Sequence, residues 1–235
     1  MSGEDGIVVP YKLQPLMPQN PQPLRILALD ISSKTGFVHA LVDKTQEEPI
    51  TLCHMGRIEL PDPILQYGRY PFCYARAAKL MASMLMEQTT YKGLSPHVIV
   101  IEETNLGRSR YSQKWLEFVH SSFLAALDHV RADNGPVVAY VSSGSWRKAI
   151  GLVLTKEDKK NNALLSKAKR AAHQKNSKVD KGGLGIAGKV TAKHLAVRYA
   201  NKRFGLELKM KDNDVADAIG LACGYVADAP LCDGI

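Results

Sequence analysis

Cysteine is scarce in this sequence and shows no metal-binding pattern. The four cysteines, Cys53, Cys73, Cys223 and Cys232, include no C-x-x-C pair, which argues against a structural zinc site. A chain of 235 residues does not need disulfide bonds to fold, so we expect free thiols. Long apolar runs are also missing, because none approaches the roughly 20 residues of a membrane span. No basic-then-apolar signal pattern opens the sequence. These absences predict a soluble, intracellular protein with no membrane partner.

Positive charge is abundant and unevenly distributed. The formal net charge is +8. Residues 156–212 contain 16 Lys and Arg against 5 Asp and Glu, whereas the rest of the chain contains 15 against 18. Such a basic block predicts a surface for a polyanion such as DNA. The alternative is a solvated, partly disordered insertion.

The chain is predicted to form one domain with extensions. Residues 1–23 are rich in proline and resemble an extended arm. Residues 24–228 carry the periodic segments of a folded domain, interrupted by a basic insertion at about 152–188. Residues 229–235 form a short tail.

Five strands and four helices are predicted from hydrophobic patterning. The strands cover 25–31, 35–42, 50–60, 97–102 and 137–141, and the helices cover 72–88, 112–133, 189–204 and 212–227. The order is β-β-β-α-β-α-β-α-α. It predicts an α/β fold with a mixed five-stranded sheet, three antiparallel strands followed by parallel ones, and helices on both faces.

Carboxylates stand where two of the apolar strands end. Asp30 closes the first strand, in LALDISSKTGF, and Glu102 closes the fourth, in VIVIE. A carboxylate next to buried residues is costly unless it is paired or binds a metal. Asp30 could instead cap the turn that follows it. We favour Glu102 over Glu103, because side chains alternate along a strand and Glu103 should point away.

Two further carboxylates are predicted on the last helix. Asp214 and Asp217 lie three residues apart, which places them on one helix face. Asp214 could simply favour the helix dipole, together with Asp212. That explanation suits Asp217 less well, because the small apolar run 218–222 follows it.

Four clustered carboxylates would repel one another, so they predict bound cations. Oxygen-only ligands select hard ions, Mg²⁺ or its substitute Mn²⁺. Two such ions, roughly 4 Å apart, could hold the attacking water and the leaving oxygen of a phosphodiester.

These motifs resemble the RuvC-like Holliday junction resolvases of the RNase H-like superfamily. LALDISSKTGF is similar to that family's first strand with its Asp, VIEE to its fourth strand with its Glu, and DVADAIGLA to its closing D-x-x-D-A helix. VAYVSSGSWRKAIG is similar to its fifth strand and the basic turn after it. The resemblance covers about residues 24–227.

The resemblance implies roles for named residues. It makes Asp30, Glu102, Asp214 and Asp217 the catalytic metal ligands, and it places Arg147 and Lys193 at the positions of two catalytic-site lysines. It also implies homodimers that introduce paired nicks into four-way junctions with two Mg²⁺ ions per site. Asn105 stands where the family often has a wedging Phe, and the Lys-rich insertion is additional. The extra length is more similar to phage or viral branches of the family.

Basic and aromatic side chains are predicted to form the DNA-binding surface. Arginines after Glu102 could hold phosphates, Tyr111 could stack on an unpaired base, and the lysines of the basic block would follow the DNA backbone. Trp115 is expected in the core, and Lys148 could be plain surface. The residues predicted to bind DNA are Arg108, Arg110, Tyr111, Lys148, Lys159, Lys160, Lys167, Lys169, Arg170 and Lys189.

Three functions remain open on the sequence. The first is a metal-dependent endonuclease that cuts Holliday junctions or other branched DNA. The second is an actin-like ATPase or sugar kinase, because DISSKTG resembles the first phosphate-binding turn of that fold, although no second Gly-rich turn is found. The third is a non-catalytic protein that binds branched DNA.

Overall fold

A computed structural model describes residues 23–43, 45–103, 110–130, 135–174 and 188–228. The strands are β1 (Leu24–Asp30), β2 (Lys34–Val42), β3 (Ile50–Glu59), β4 (Val98–Glu102) and β5 (Val137–Val141). The helices are α1 (Phe72–Glu87), α2 (Arg110–Val130), α3 (Ser143–Ala149), α4 (Lys156–Gln174), α5 (Ala192–Phe204) and α6 (Asn213–Asp228). Short 3₁₀ turns occupy Ile64–Tyr67 and Met210–Asp212.

The strands form one five-stranded sheet in the order β3-β2-β1-β4-β5. β1 pairs antiparallel with β2, and β2 pairs antiparallel with β3. β4 is parallel to both β1 and β5. The predicted α/β fold, with three antiparallel strands followed by parallel ones, is therefore confirmed.

Each face of the sheet carries its own hydrophobic core. Alternate residues of β1 point to opposite faces, as strand geometry requires. Ile26 and Ala28 pack towards α3, α5 and α6, whereas Leu27 and Leu29 pack towards α1 and α2. A central strand buried on both sides explains the continuous apolar run in the sequence. Within the described ranges, no helix is both long and apolar enough to span a bilayer.

Two helices were not predicted from the sequence. α3 follows β5 directly, where only a basic turn was expected, and its Ser142 cap accepts a hydrogen bond from the Ser145 amide. α4 fills the first half of the basic insertion. Thr155 and Asp158 cap its start reciprocally, at distances of 2.8 to 3.1 Å. Residues 156–174 of the insertion are therefore helical, and residues 175–187 lie outside the described residues.

Smaller differences concern helix ends. α5 begins at Ala192, not at residue 189, because Thr191 caps it in a capping box with His194. The amide of Val190 donates to Asn162 Oδ1 on α4 at 3.0 Å instead of entering the helix. Trp115 is 4% exposed and belongs to the core, as expected.

Candidate active site

The carboxyl ends of the central strands open into a pocket of about 680 Å³. All six residues predicted as catalytic line this pocket, and nearby loops and helix ends complete its wall. The lining residues are Asp30, Ser32, Ser33, Lys34, Glu102, Arg147, Thr191, Ala192, Lys193, Asn213, Asp214 and Asp217. Residues that are far apart in sequence are thus brought together at one edge of the sheet.

The parallel pairing of β1 with β4 places the first two carboxylates side by side. The register pairs Leu29 with Ile101, so Asp30 and Glu102 follow at neighbouring strand ends. The Glu102 side chain is 10% exposed and lines the pocket. Glu103 is exposed and is not among the residues that line it, in agreement with the expected alternation.

Gly36 lets the last helix approach Asp30. It pairs with Asp30 across the β1–β2 ladder. A Cβ atom at Gly36 would lie 1.9 Å from the carbonyl oxygen of Asp214. Only a residue without a side chain allows this contact, which brings the start of α6 onto the sheet. Asp214 and Asp217, on the first turns of α6, are 8% and 3% exposed.

Arg147 on α3 joins two of the carboxylates. Its Nη2 atom lies 3.4 Å from Asp217 Oδ1 and 3.8 Å from Glu102 Oε2. The guanidinium carbon stands 4.4 Å from the centre of the Trp146 ring. The Trp146 indole in turn donates a hydrogen bond to Glu102 Oε2 at 2.9 Å. α3 therefore orients Glu102 and Asp217 with two adjacent side chains.

Lys193 on α5 supplies the second cation of the pocket. Its Nζ atom lies 3.6 Å from Asp214 Oδ1 and donates a hydrogen bond to Asn213 Oδ1. The side chain is 54% exposed, so it can also reach a ligand. Lys34, a third basic residue that lines the pocket, forms a salt bridge with Glu59 at 2.7 Å.

The electrostatics of the pocket favour cations. Burial raises the pKa of Asp30 well above its ordinary value, and the negative charges of Glu102, Asp217 and Asp214 raise it further. Burial also raises the pKa of Asp217, although the charges of Arg147 and Lys193 oppose that shift. Four carboxylates face two paired cations, and no salt bridge within 4 Å joins Asp30 to another described residue. Asp30 is therefore the one of these four carboxylates without a salt bridge to a described residue, and its ionised form is disfavoured unless a cation binds.

The donor set suits a divalent cation, although the present arrangement does not enclose one. Within the described parts of the chain, no three His, Cys, Asp or Glu side chains are arranged to hold one ion. Arg147 and Lys193 lie between the carboxylates and act as their counter-ions. Oxygen-only ligands with excess negative charge nevertheless fit Mg²⁺ or Mn²⁺ by chemistry. Cation binding would compete with these two side chains.

The residues predicted to bind DNA are distributed over several parts of the fold. Arg110 and Tyr111 begin α2, and both are exposed. Lys148 is exposed on α3, Lys189 is exposed just before α5, and Arg108, like Asn105, falls outside the described residues. The remaining five are exposed along α4: Lys159, Lys160, Lys167, Lys169 and Arg170.

α4 is tied to the rim of the pocket. Asn162 Nδ2 donates to the Val190 carbonyl at 2.6 Å, and the Val190 amide donates back to Asn162 Oδ1 at 3.0 Å. Val190 directly precedes Thr191, which lines the pocket. The basic helix is thus held beside the candidate active site.

Several residues of the site were not found from the sequence. Trp146 was treated only as part of a basic turn, although its indole holds Glu102. Nothing in the sequence singles out Asn213 or Thr191, and Gly36 is recognisable there only as part of the turn after β1. A tryptophan immediately before a candidate catalytic arginine was the available signal. The contacts of Gly36 and Asn213 depend on tertiary packing and leave no local pattern.

Comparisons with known proteins bear on the fold. No protein-family model and no curated protein sequence matches the chain. A structure of Thermus thermophilus RuvC in complex with Holliday junction substrate is similar, with 12% identity over 87% of this chain and 94% of that chain, and a TM-score of 0.50. A second Thermus thermophilus RuvC structure gives 14% identity, 87% and 94% coverage, and a TM-score of 0.49.

The yeast mitochondrial Holliday junction resolvase Ydc2 gives 14% identity over 89% of this chain and 80% of that chain, with a TM-score of 0.47. Identities this low show the fold alone. The Thermus thermophilus RuvC structure with a TM-score of 0.50 therefore shows that this chain has a RuvC-like fold, and its candidate active site lies at the carboxyl ends of β1 and β4.

Proposed function

We propose that the chain is a metal-dependent endonuclease that hydrolyses phosphodiester bonds in four-way or other branched DNA. The observation that carries this proposal is the pocket itself. Asp30, Glu102, Asp214 and Asp217 converge there with Arg147 and Lys193. The RuvC-like fold and the basic helix α4 beside the pocket support a nucleic acid substrate.

The four carboxylates are proposed to hold two Mg²⁺ ions, for which Mn²⁺ can substitute. When bound, such ions supply Lewis-acid stabilisation of the reacting phosphate and activation of water. The chain's own contribution is to place these oxygens on rigid strand ends and on one helix face. A bound cation would stabilise the ionised form of Asp30, because burial and the neighbouring carboxylates raise the pKa of this residue.

Arg147 and Lys193 are proposed to stabilise the negative charge that develops on the phosphate. Preorganised cations act strongly in a partly buried site, because they need not reorient during the reaction. Arg147 is held by Glu102, Asp217 and the Trp146 ring. Lys193 lies beside Asp214 and is 54% exposed, so it can meet the DNA backbone.

Two copies of the chain are proposed to act together on one junction. Paired nicks on opposite strands need two active sites, and each copy contributes one pocket. Sedimentation of the full chain with and without junction DNA tests this point. A 1:1 complex that makes paired nicks would contradict it.

Cleavage of a four-way junction tests the proposed function. The junction and a linear duplex of matched sequence are incubated with the full chain and Mg²⁺, with EDTA as a metal-free control. We expect cleavage of the junction and little of the duplex. Asp30→Asn should abolish cleavage, whereas Asp62→Asn, which changes an exposed carboxylate outside the pocket, should not.

Two results would overturn the proposal. One is undiminished cleavage by Asp30→Asn, since the carboxylate would then not be required. The other is tight junction binding without cleavage in either Mg²⁺ or Mn²⁺, which would favour the non-catalytic DNA-binding function.

A further inference from the structure

A second pocket, of about 210 Å³, adjoins the candidate active site. Ser33, on the turn after β1, lines both pockets. The other walls come from the 3₁₀ turn before α1, from α1 and from the start of α2. The lining residues include Ser33, Ile64, Tyr74, Tyr111, Ser112 and Trp115. A DNA strand that occupies the active site can therefore reach this second pocket.

Four aromatic rings form a connected cluster at this pocket, here called the aromatic cluster: Tyr70, Tyr74, Tyr111 and Trp115. The ring centres of Tyr70 and Tyr111 are 6.5 Å apart, those of Tyr70 and Tyr74 are 5.6 Å apart, and those of Tyr74 and Trp115 are 6.3 Å apart. Each pair meets edge to face, at 78° to 86°. This is a favourable geometry for aromatic rings, so the contacts among the four rings stabilise their positions.

The cluster is buried at one end and exposed at the other. Trp115 is 4% exposed, whereas Tyr70 is 50% and Tyr111 is 66% exposed. The Trp115 indole nitrogen is buried and has no hydrogen-bond partner among the residues that the structure describes. A buried donor without an acceptor is costly. The pocket thus has exposed ring faces at one end and the buried Trp115 ring at the other.

Positive charge lies beside the exposed rings. Lys114 Nζ donates a hydrogen bond to the Tyr70 hydroxyl at 2.9 Å and lies 5.6 Å from the centre of that ring. Arg110, exposed at the first position of α2, precedes Tyr111. The exposed end of the cluster therefore offers aromatic faces together with two cations.

We propose that this pocket binds one unpaired nucleobase of the DNA strand whose phosphate lies in the candidate active site. The inference rests on the proposed function and extends it to the recognition of unpaired DNA. An unpaired nucleotide supplies a flat π face for the tyrosines and a phosphate for Arg110 or Lys114. Its neighbouring phosphate stays within reach, because Ser33 separates the two pockets.

A peptide and a second copy of the chain are the alternative occupants of this surface. A nucleobase is favoured because the pocket adjoins the candidate active site at Ser33 and has room for a single ring. The flanking cations also match a polyanion better than an apolar protein face. Unpaired bases near the centre of a branched DNA match all of these features.

Removal of single bases from the junction tests the proposal directly. The dissociation constant of Asp30→Asn with Mg²⁺ is measured on a set of four-way junctions, each with one abasic position near the centre. At one position we expect binding to weaken by roughly 5- to 150-fold, the effect of removing one base–aromatic stack. Tyr111→Ala in the same background should weaken binding of the intact junction equally, and should bind the abasic junction no worse than the intact one.

Matched variants separate this role from a loss of folding. Tyr111→Phe keeps the ring and should bind like its parent. Tyr140→Ala removes a tyrosine ring that is 43% exposed on β5. It should leave the dependence of the dissociation constant on the abasic position unchanged. Tyr70→Ala provides a second variant of the aromatic cluster, with thermal unfolding recorded for each protein.

Three results would overturn the proposal: no sensitive abasic position, additive effects of the abasic site and Tyr111→Ala, or a change of oligomeric state in Tyr111→Ala without loss of base-dependent binding. The last would assign the surface to protein association. Cleavage of the intact junction by the wild-type chain is scored separately. Cleavage together with equal binding of all the abasic junctions would support the proposed nuclease activity and reject only the base pocket.

Discussion

The packing of α3 on α6 depends on glycine, and we predict that Gly224→Ala damages the active site more than it damages the fold. Trp146 is fully buried between α3 and α6. A Cβ atom at Gly224 would lie 2.5 Å from the Trp146 Cβ atom and 2.7 Å from its Cα and carbonyl oxygen. Ordinary contacts begin at 3.4 Å, so the two helices must separate by about 0.9 Å, the difference between 3.4 and 2.5 Å.

This separation has different consequences for stability and for activity. Overpacking a core costs about 1–3 kcal/mol, and replacing glycine by alanine inside a helix returns about 1 kcal/mol. The free energy of unfolding should therefore fall by roughly 0–2 kcal/mol. Arg147 on α3 contacts Asp217 on α6 at 3.4 Å, and a misplacement of about 1 Å can cost about 100-fold in rate.

The assay compares junction cleavage rates with urea unfolding for the same proteins. Gly144→Ala on α3 is the matched control, because its Cβ atom would meet nothing closer than Ser142 Oγ at 4.0 Å. It should unfold and cleave like the wild type, or be slightly more stable. A Gly224→Ala protein that cleaves within about threefold of the wild-type rate would refute the claim that this helix contact positions Arg147.

Two further predictions concern pH and salt. Burial raises the pKa of Asp30 in the folded chain above its value in the unfolded chain, so the folded state binds this proton more tightly and stability is lost as pH rises through the raised pKa. In EDTA, the free energy of unfolding should therefore decrease as the pH rises above the ordinary carboxyl range. Asp30→Asn should weaken this pH dependence, and an equal slope in both proteins would contradict the burial argument. Lys159→Ala and Lys167→Ala on α4 should each reduce the slope of log affinity for DNA against log salt by about 0.9 for every DNA phosphate that the removed lysine had neutralised. Lys79→Ala, exposed on α1, is the control, and slopes unchanged in the α4 variants would remove α4 from the interface.

The strands could be predicted because their buried residues follow one another in the sequence. β1 and β4 are apolar runs that end in an acid, and parallel pairing brings those ends together. α4 left a much weaker signal. Leu165 is the one described α4 residue that is fully buried, so a lysine-rich helix with a narrow apolar side resembles a solvated insertion.

The candidate site was only partly visible in the sequence, for a related reason. Carboxylates at strand ends and at helical spacing can be recognised one at a time. The contact of Trp146 with Glu102, and the approach of Asp214 to Gly36, exist only after β2, β4, α3 and α6 have packed. A glycine that permits a tertiary approach looks the same in the sequence as one that permits a turn.

The charge balance of the pocket links its structure to its substrate. Fold similarity alone does not define an activity, so the activity has to follow from the side chains of the site. Four carboxylates against Arg147 and Lys193 leave an excess of negative charge that would repel a DNA phosphate. Under the proposed function, the basic residues of α4 would attract the DNA, whereas the side chains of the pocket alone would oppose the approach of the phosphate that is to be cut. The divalent cations of the proposed function would resolve that conflict, so metal dependence should appear in the docking of the phosphate as well as in the rate of its hydrolysis.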